Sequence, residues 1–95
     1  MGLRYIDRSV AALSAGQAGG TASVLSANPR RVGLVVVPAA DASLLIAAGA
    51  ARGVPLIGAL PNTFMGTEAP TNELFLSGLL TGQGVTIWEA NEGDW

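Results

Sequence analysis

Few side chains in this sequence could do chemistry. They are five arginines (Arg4, Arg8, Arg30, Arg31, Arg52) and seven carboxylates (Asp7, Asp41, Glu68, Glu73, Glu89, Glu92, Asp94). There is no His, no Cys and no Lys. A base poised near neutral pH, a thiolate nucleophile and a Schiff-base amine are therefore all missing. So are disulfides, zinc thiolates and iron–sulfur clusters. Serines are numerous, but no His or Lys stands ready to activate one. Glu68 and Glu73 flank Ala69-Pro70-Thr71-Asn72, and such a pair can in principle share acid–base work or hold calcium. No further carboxylate stands at a calcium-loop spacing, so a solvated loop is the plainer reading. Gly82-Gln83-Gly84 begins like a phosphate loop. It lacks the third glycine and opens onto a strand pattern, so it reads as a turn. Neither a cofactor nor an enzymatic activity is expected.

Recognition is the remaining chemistry. Arg30-Arg31 follow the turn Ser26-Ala27-Asn28-Pro29 and open a β-branched run. Neighbours on a strand point to opposite faces, so at most one of the two meets a given partner. That one could form a bidentate bond to a neighbouring subunit's carboxylate; the alternative is a solvent-facing strand start. Trp88 reads as core or as an interface anchor. Trp95, beside Glu92 and Asp94, is an aromatic chain end that either docks or dangles. Together with Tyr5 and Arg8, the candidate interface residues are Tyr5, Arg8, Arg30, Arg31, Trp88 and Trp95. The arginines form no basic run and the net charge is −2, so nucleic acid is not an expected partner.

The elements that must carry these residues belong to one domain, since 95 residues leave no room for two cores. Hydrophobic residues make up 49%, more than so small a core comfortably hides. Much of the surplus is Ala, which leans the chain only slightly toward oligomerisation. Apolar runs of strand length recur between turn signals: Ala22 to Leu25, Val32 to Val37, Leu44 to Ala47, Val54 to Leu60, Leu74 to Leu80 and Val85 to Glu89. Their spacing of about ten residues, broken by Gly, Pro and Asn, predicts an all-β sandwich or barrel. Val85 and Ile87 share one face, Thr86 and Trp88 the other. Leu74–Ser77 and the turn at 82–84 suggest a hairpin into that last strand.

The alternative is an α/β arrangement with a βαβ unit at 32–60. There Asp41 caps a helix over Ala42–Arg52 and Gly53 ends it. Gly49 inside that helix weighs against it. Residues 1–20 end in a Gly- and Ala-rich stretch, and three glycines in 16–20 disfavour a stable helix. They read as an N-terminal arm and linker, with a short turn of helix at Asp7 to Leu13 as the most structure expected, leaving 21–95 as the folded domain. Arg4, Asp7 and Arg8 interrupt the apolar run a secretory leader needs. Val32 to Ala51 is mostly apolar, but Pro38 and Asp41 at its centre argue against a membrane partner.

Leu25-Ser26-Ala27-Asn28-Pro29-Arg30-Arg31, then the β-run, then Asp41-Ala42-Ser43-Leu44-Leu45-Ile46-Ala47 and Gly53-Val54-Pro55-Leu56, resembles small virion structural proteins of tailed bacteriophages. Ala69-Pro70-Thr71-Asn72 through Val85-Thr86-Ile87-Trp88-Glu89 is similar too. The likeness spans about residues 21–90. It implies a small β-sandwich on the capsid surface, a decoration or cement protein made in the cytoplasm of a bacterial host. It also turns residues 42–52 toward strand and loop. The partners implied are the major capsid protein or other virion subunits, and sister copies of this chain. A tail or head-fibre component, or a small binding module, is the alternative. No catalytic residue is implied.

Overall fold

The β-branched run after Arg30 becomes the spine of the molecule. In the computed structural model, which describes residues 4–93, it is strand β2 (Arg31–Pro38). Its Leu34 and Val36 are buried on one face while Val35 and Val37 stand half-buried on the other. Strand β7 (Val85–Asn91) lies antiparallel to it, with Leu34 opposite Glu89 and Val36 opposite Ile87. Two short edge strands complete this sheet. They are β1 (Tyr5–Asp7), which pairs with β7, and β5 (Asn62–Met65), which pairs with β2. The order is β1-β7-β2-β5.

The second sheet is three-stranded. Its strands β3 (Ala42–Leu45), β4 (Val54–Leu56) and β6 (Phe75–Ser77) run in the order β4-β3-β6, again antiparallel. Leu44, Leu56 and Leu76 share one core with Leu34, Val36, Val85 and Ile87 of the first sheet. The chain is all-β, with two sheets closing on a single apolar centre, the arrangement expected of a sandwich. No helix among the described residues is long and apolar enough to cross a membrane.

Four readings need correction, the first of them the βαβ alternative. The helix over Ala42–Arg52 does not form: Ala42–Leu45 is a strand, and Asp41 spends its carboxylate on the Gly58 amide at 2.7 Å. Burying Leu44 and Leu45 between neighbours outweighs the helix propensity of a few alanines. The hairpin into β7 is likewise absent, because β6 pairs with β3 in the second sheet and the chain crosses between sheets to reach β7. Ala22 to Leu25 is not a strand; it contributes one bridge, Leu25 to Leu74.

The fourth correction is the largest. Residues 4–20 are part of the fold, not an arm. Beyond β1 the pairing continues in register to a bridge between Val10 and Val85. Leu13 then enters the core, only 2% exposed. A one-turn helix, α1 (Ala15–Ala18), follows with a capping box: the Gln17 amide donates to Ser14 Oγ, and the Ser14 amide donates to Gln17 Oε1. The cap nucleates the turn that the glycines disfavour. Gly20, at φ 82°, then passes so near the second sheet that a Cβ there would lie 2.9 Å from Leu45 Cδ1. The segment thereby covers Leu45 and Ser77, on the face of β3 and β6 turned away from the shared core.

Candidate functional site

The polar centre of the molecule is built around Glu89, which alternation along β7 places on the buried face with Val85 and Ile87. Simple alternation along β2 would send Arg31 outward, since Leu34 and Val36 point in. A register shift between Arg31 and Gly33 reverses this, as a bulge does by adding one residue to a strand. Arg31 turns into the interior and is 2% exposed. Its Nε donates to Glu89 Oε1 at 2.8 Å. Its Nη1 donates to the carbonyls of Pro70 and Asn72, and its Nη2 to that of Ser26. One guanidinium thus ties together three loop carbonyls and a carboxylate.

Glu89 is saturated in return. Oε1 also accepts from Asn28 Nδ2 at 2.9 Å, and Oε2 accepts from Arg8 Nε at 3.1 Å. Burial alone would push the Glu89 carboxyl up. The bonds from Asn28, Arg31 and Arg8 and the charge of Arg31 outweigh it and hold the group below its ordinary value. Arg8 follows the parity of Ile6 and Val10, so it faces the same side as Glu89. It sits at the open edge, with 48% of its side chain exposed. It lines a cavity of about 280 Å³ with Leu25, Ser26, Ala27, Asn28 and Glu89.

Ile46, Val54 and Leu80 are exposed, and two further apolar regions stand on the surface of the described residues. On the outer face of the four-stranded sheet, Tyr5, Ala90, Gly33 and Met65 form one row across the strands. The Tyr5 hydroxyl reaches Met65 Sδ at 3.4 Å over the two small residues between them. Trp88 and Val35 stand in the next row on that face.

The second region is the loop from Ile57 to Asn62, which is bound at nearly every residue. Asn62 Nδ2 donates to the carbonyls of Val36, Ile57 and Leu60, and its Oδ1 accepts from the Ile57 amide. The Gly58 amide bonds Asp41 and the Ala59 amide bonds the Pro38 carbonyl. Ala59 is held at φ 61°, a left-handed conformation costly for a residue with a Cβ. This rigid frame leaves Ile57 58% and Leu60 52% exposed.

The structure therefore divides the predicted interface residues. Tyr5 and Trp88 share the outer sheet face, each with a large exposed surface. Arg8 and Arg31 converge on Glu89, but Arg31 is interior and cannot meet a partner; this corrects the surface role expected of it. Arg30 is exposed, with Nη2 donating to the Glu92 carbonyl at 2.6 Å. Trp95 lies outside the described residues. Glu68 and Glu73 are both exposed, and no metal-holding cluster stands among the described residues. Glu89, Asn28 and the 57–62 loop were not among the candidates. For Glu89 a signal existed: continuing the Val85–Ile87 face by one step buries a carboxylate, which demands a cation. No family model, curated protein or solved structure matches the chain.

Proposed function

We propose that the chain is a non-enzymatic structural protein of a phage particle, a decoration or cement protein that binds the assembled capsid shell and stabilises it. The phage setting comes from the resemblance over residues 21–90. The observation that carries an assembly role is the 57–62 loop, a fixed frame that keeps Ile57 and Leu60 in water. Covering an aliphatic side chain fully is worth roughly 1.5–3 kcal/mol. A loop already locked by hydrogen bonds loses little freedom on docking, so more of that energy reaches the affinity. Tyr5 and Trp88 on the outer sheet face supply a second contact region of the kind enriched at interfaces.

A cement protein works by preferring the assembled state. Ligands that bind only that state stabilise it by mass action, and many linked weak sites add up to high avidity. The expected partners are the major capsid protein, other virion subunits and sister copies of this chain, on the outside of the shell. The deciding experiment is quantitative mass spectrometry of purified particles, counting this chain against the major capsid protein. A ratio near one, or a simple fraction of it, supports decoration. About a dozen copies or fewer moves the chain to the tail or a head fibre. Absence from particles overturns the reading.

A further inference from the structure

We propose that the cavity headed by Arg8 is a binding site for a single carboxylate, supplied by an acidic side chain of a partner protein. This does not rest on the phage setting. Among the described residues the site holds two guanidinium groups, Arg8 and Arg31, against one carboxylate, Glu89, which leaves one positive charge in excess. Arg31 cannot deliver that charge to a ligand, because its Nε, Nη1 and Nη2 are all bonded inside the protein. Asn28 is also occupied: Nδ2 serves Glu89 and Asn91, and Oδ1 accepts from the Arg30 amide.

Arg8 is different. It commits Nε to Glu89, and no bond from its terminal nitrogens is made to another described residue. Glu89 is itself pinned by Arg31 and Asn28, so it holds the Arg8 fork in place at the mouth of the cavity. A planar fork fixed at one nitrogen and open at its end matches the two oxygens of a carboxylate. The volume of about 280 Å³ is several times the roughly 30 Å³ of one water, enough for an Asp or Glu side chain. Leu25 and Ala27 form apolar wall beside its methylenes. The single excess charge suits a monoanion better than a phosphate dianion. A cation is disfavoured because three donors already claim the Glu89 oxygens.

The test uses the full chain and ¹⁵N-resolved NMR at pH 7, following the Arg8 Nε–H and the Ser26, Ala27 and Asn28 amides. The probes are sodium acetate, a blocked Ala-Glu-Ala peptide, its Ala-Gln-Ala analogue, sodium phosphate and sodium chloride at matched ionic strength. Saturable shifts with acetate and the Glu peptide, and none with the Gln peptide or chloride, are expected. Arg8→Gln should weaken binding by about tenfold or more while spectral dispersion persists. Should Arg8→Gln fail to fold, Arg8→Lys, which keeps the charge but not the fork, should still weaken binding. Tighter binding of the peptide than of acetate supports a protein-borne carboxylate, and equal binding overturns that source in favour of free carboxylates. Shifts that do not saturate, that chloride reproduces, that survive both substitutions, or that phosphate produces at lower concentration overturn the site.

Discussion

At Glu89, one carboxylate that is only 2% exposed receives three donors. Removing its charge leaves Arg31 buried without a counter-ion, a change that typically costs about 3–5 kcal/mol. Glu89→Gln should therefore lower the urea midpoint by an amount of that order. Arg31→Met should do at least as much harm, since it also strands the carbonyls of Ser26, Pro70 and Asn72. The same pair sets an acid limit. The folded-state pKa of Glu89 lies below the ordinary 4.5. Its contribution is therefore complete above that value and is lost as the pH falls through the folded-state pKa. Thermal melts from pH 7 downward should show the melting temperature declining below about pH 5, with a shallower decline in Glu89→Gln. Asp7, held low by its bonds with Ser9, acts in the same direction but stands in solvent.

Among the elements, the 57–62 loop and the N-terminal segment make opposite demands on mutagenesis. Ile57 and Leu60 contribute little to the core, so Ile57→Asp with Leu60→Asp should leave the melting temperature within a few degrees. The same double variant should reduce particle binding by about tenfold or more, measured by co-sedimentation. The frame beneath them is not tolerant: a Cβ at Gly58 would overlap the backbone of Ala40 and Asp41. Gly58→Ala should displace the loop and weaken binding through its geometry. Deleting residues 2–18 should unfold the protein, because β1, Val10 and Leu13 leave with it; near-native circular dichroism in that deletion would contradict their place in the core. The β-branched run at 32–37 and the alternation at 85–89 fell on β2 and β7. The run at 44–47 began two residues late for β3, and the run at 54–60 extended four residues past β4. β1 and β5 escaped because they are short edge strands of mixed polarity, Tyr-Ile-Asp and Asn-Thr-Phe-Met. What marks them is their partner across the sheet, not their own pattern. Arg31 escaped because a bulge reversed its face, and a register shift leaves no trace in residue spacing.

For the whole molecule, the apolar surplus visible in the composition turns out to have addresses. Part of it is Ala, and part is gathered at Ile57, Leu60, Tyr5 and Trp88. If these surfaces dock on a shell, decorated particles should withstand heating better than bare ones, with the gain rising as occupancy rises. Scanning calorimetry of shells titrated with the protein measures this directly, and an unchanged transition would remove the cement role. The first described strand and the last are neighbours, with Tyr5 opposite Ala90 at one end of an antiparallel pair. Tension applied between those two ends peels β1 from β7 one hydrogen bond after another, because the bonds lie along the pull and break singly. A load spread across the sheet faces meets all the strands at once. The β1–β7 pair is therefore weak against tension applied between Tyr5 and Ala90 and strong against a load normal to the sheet.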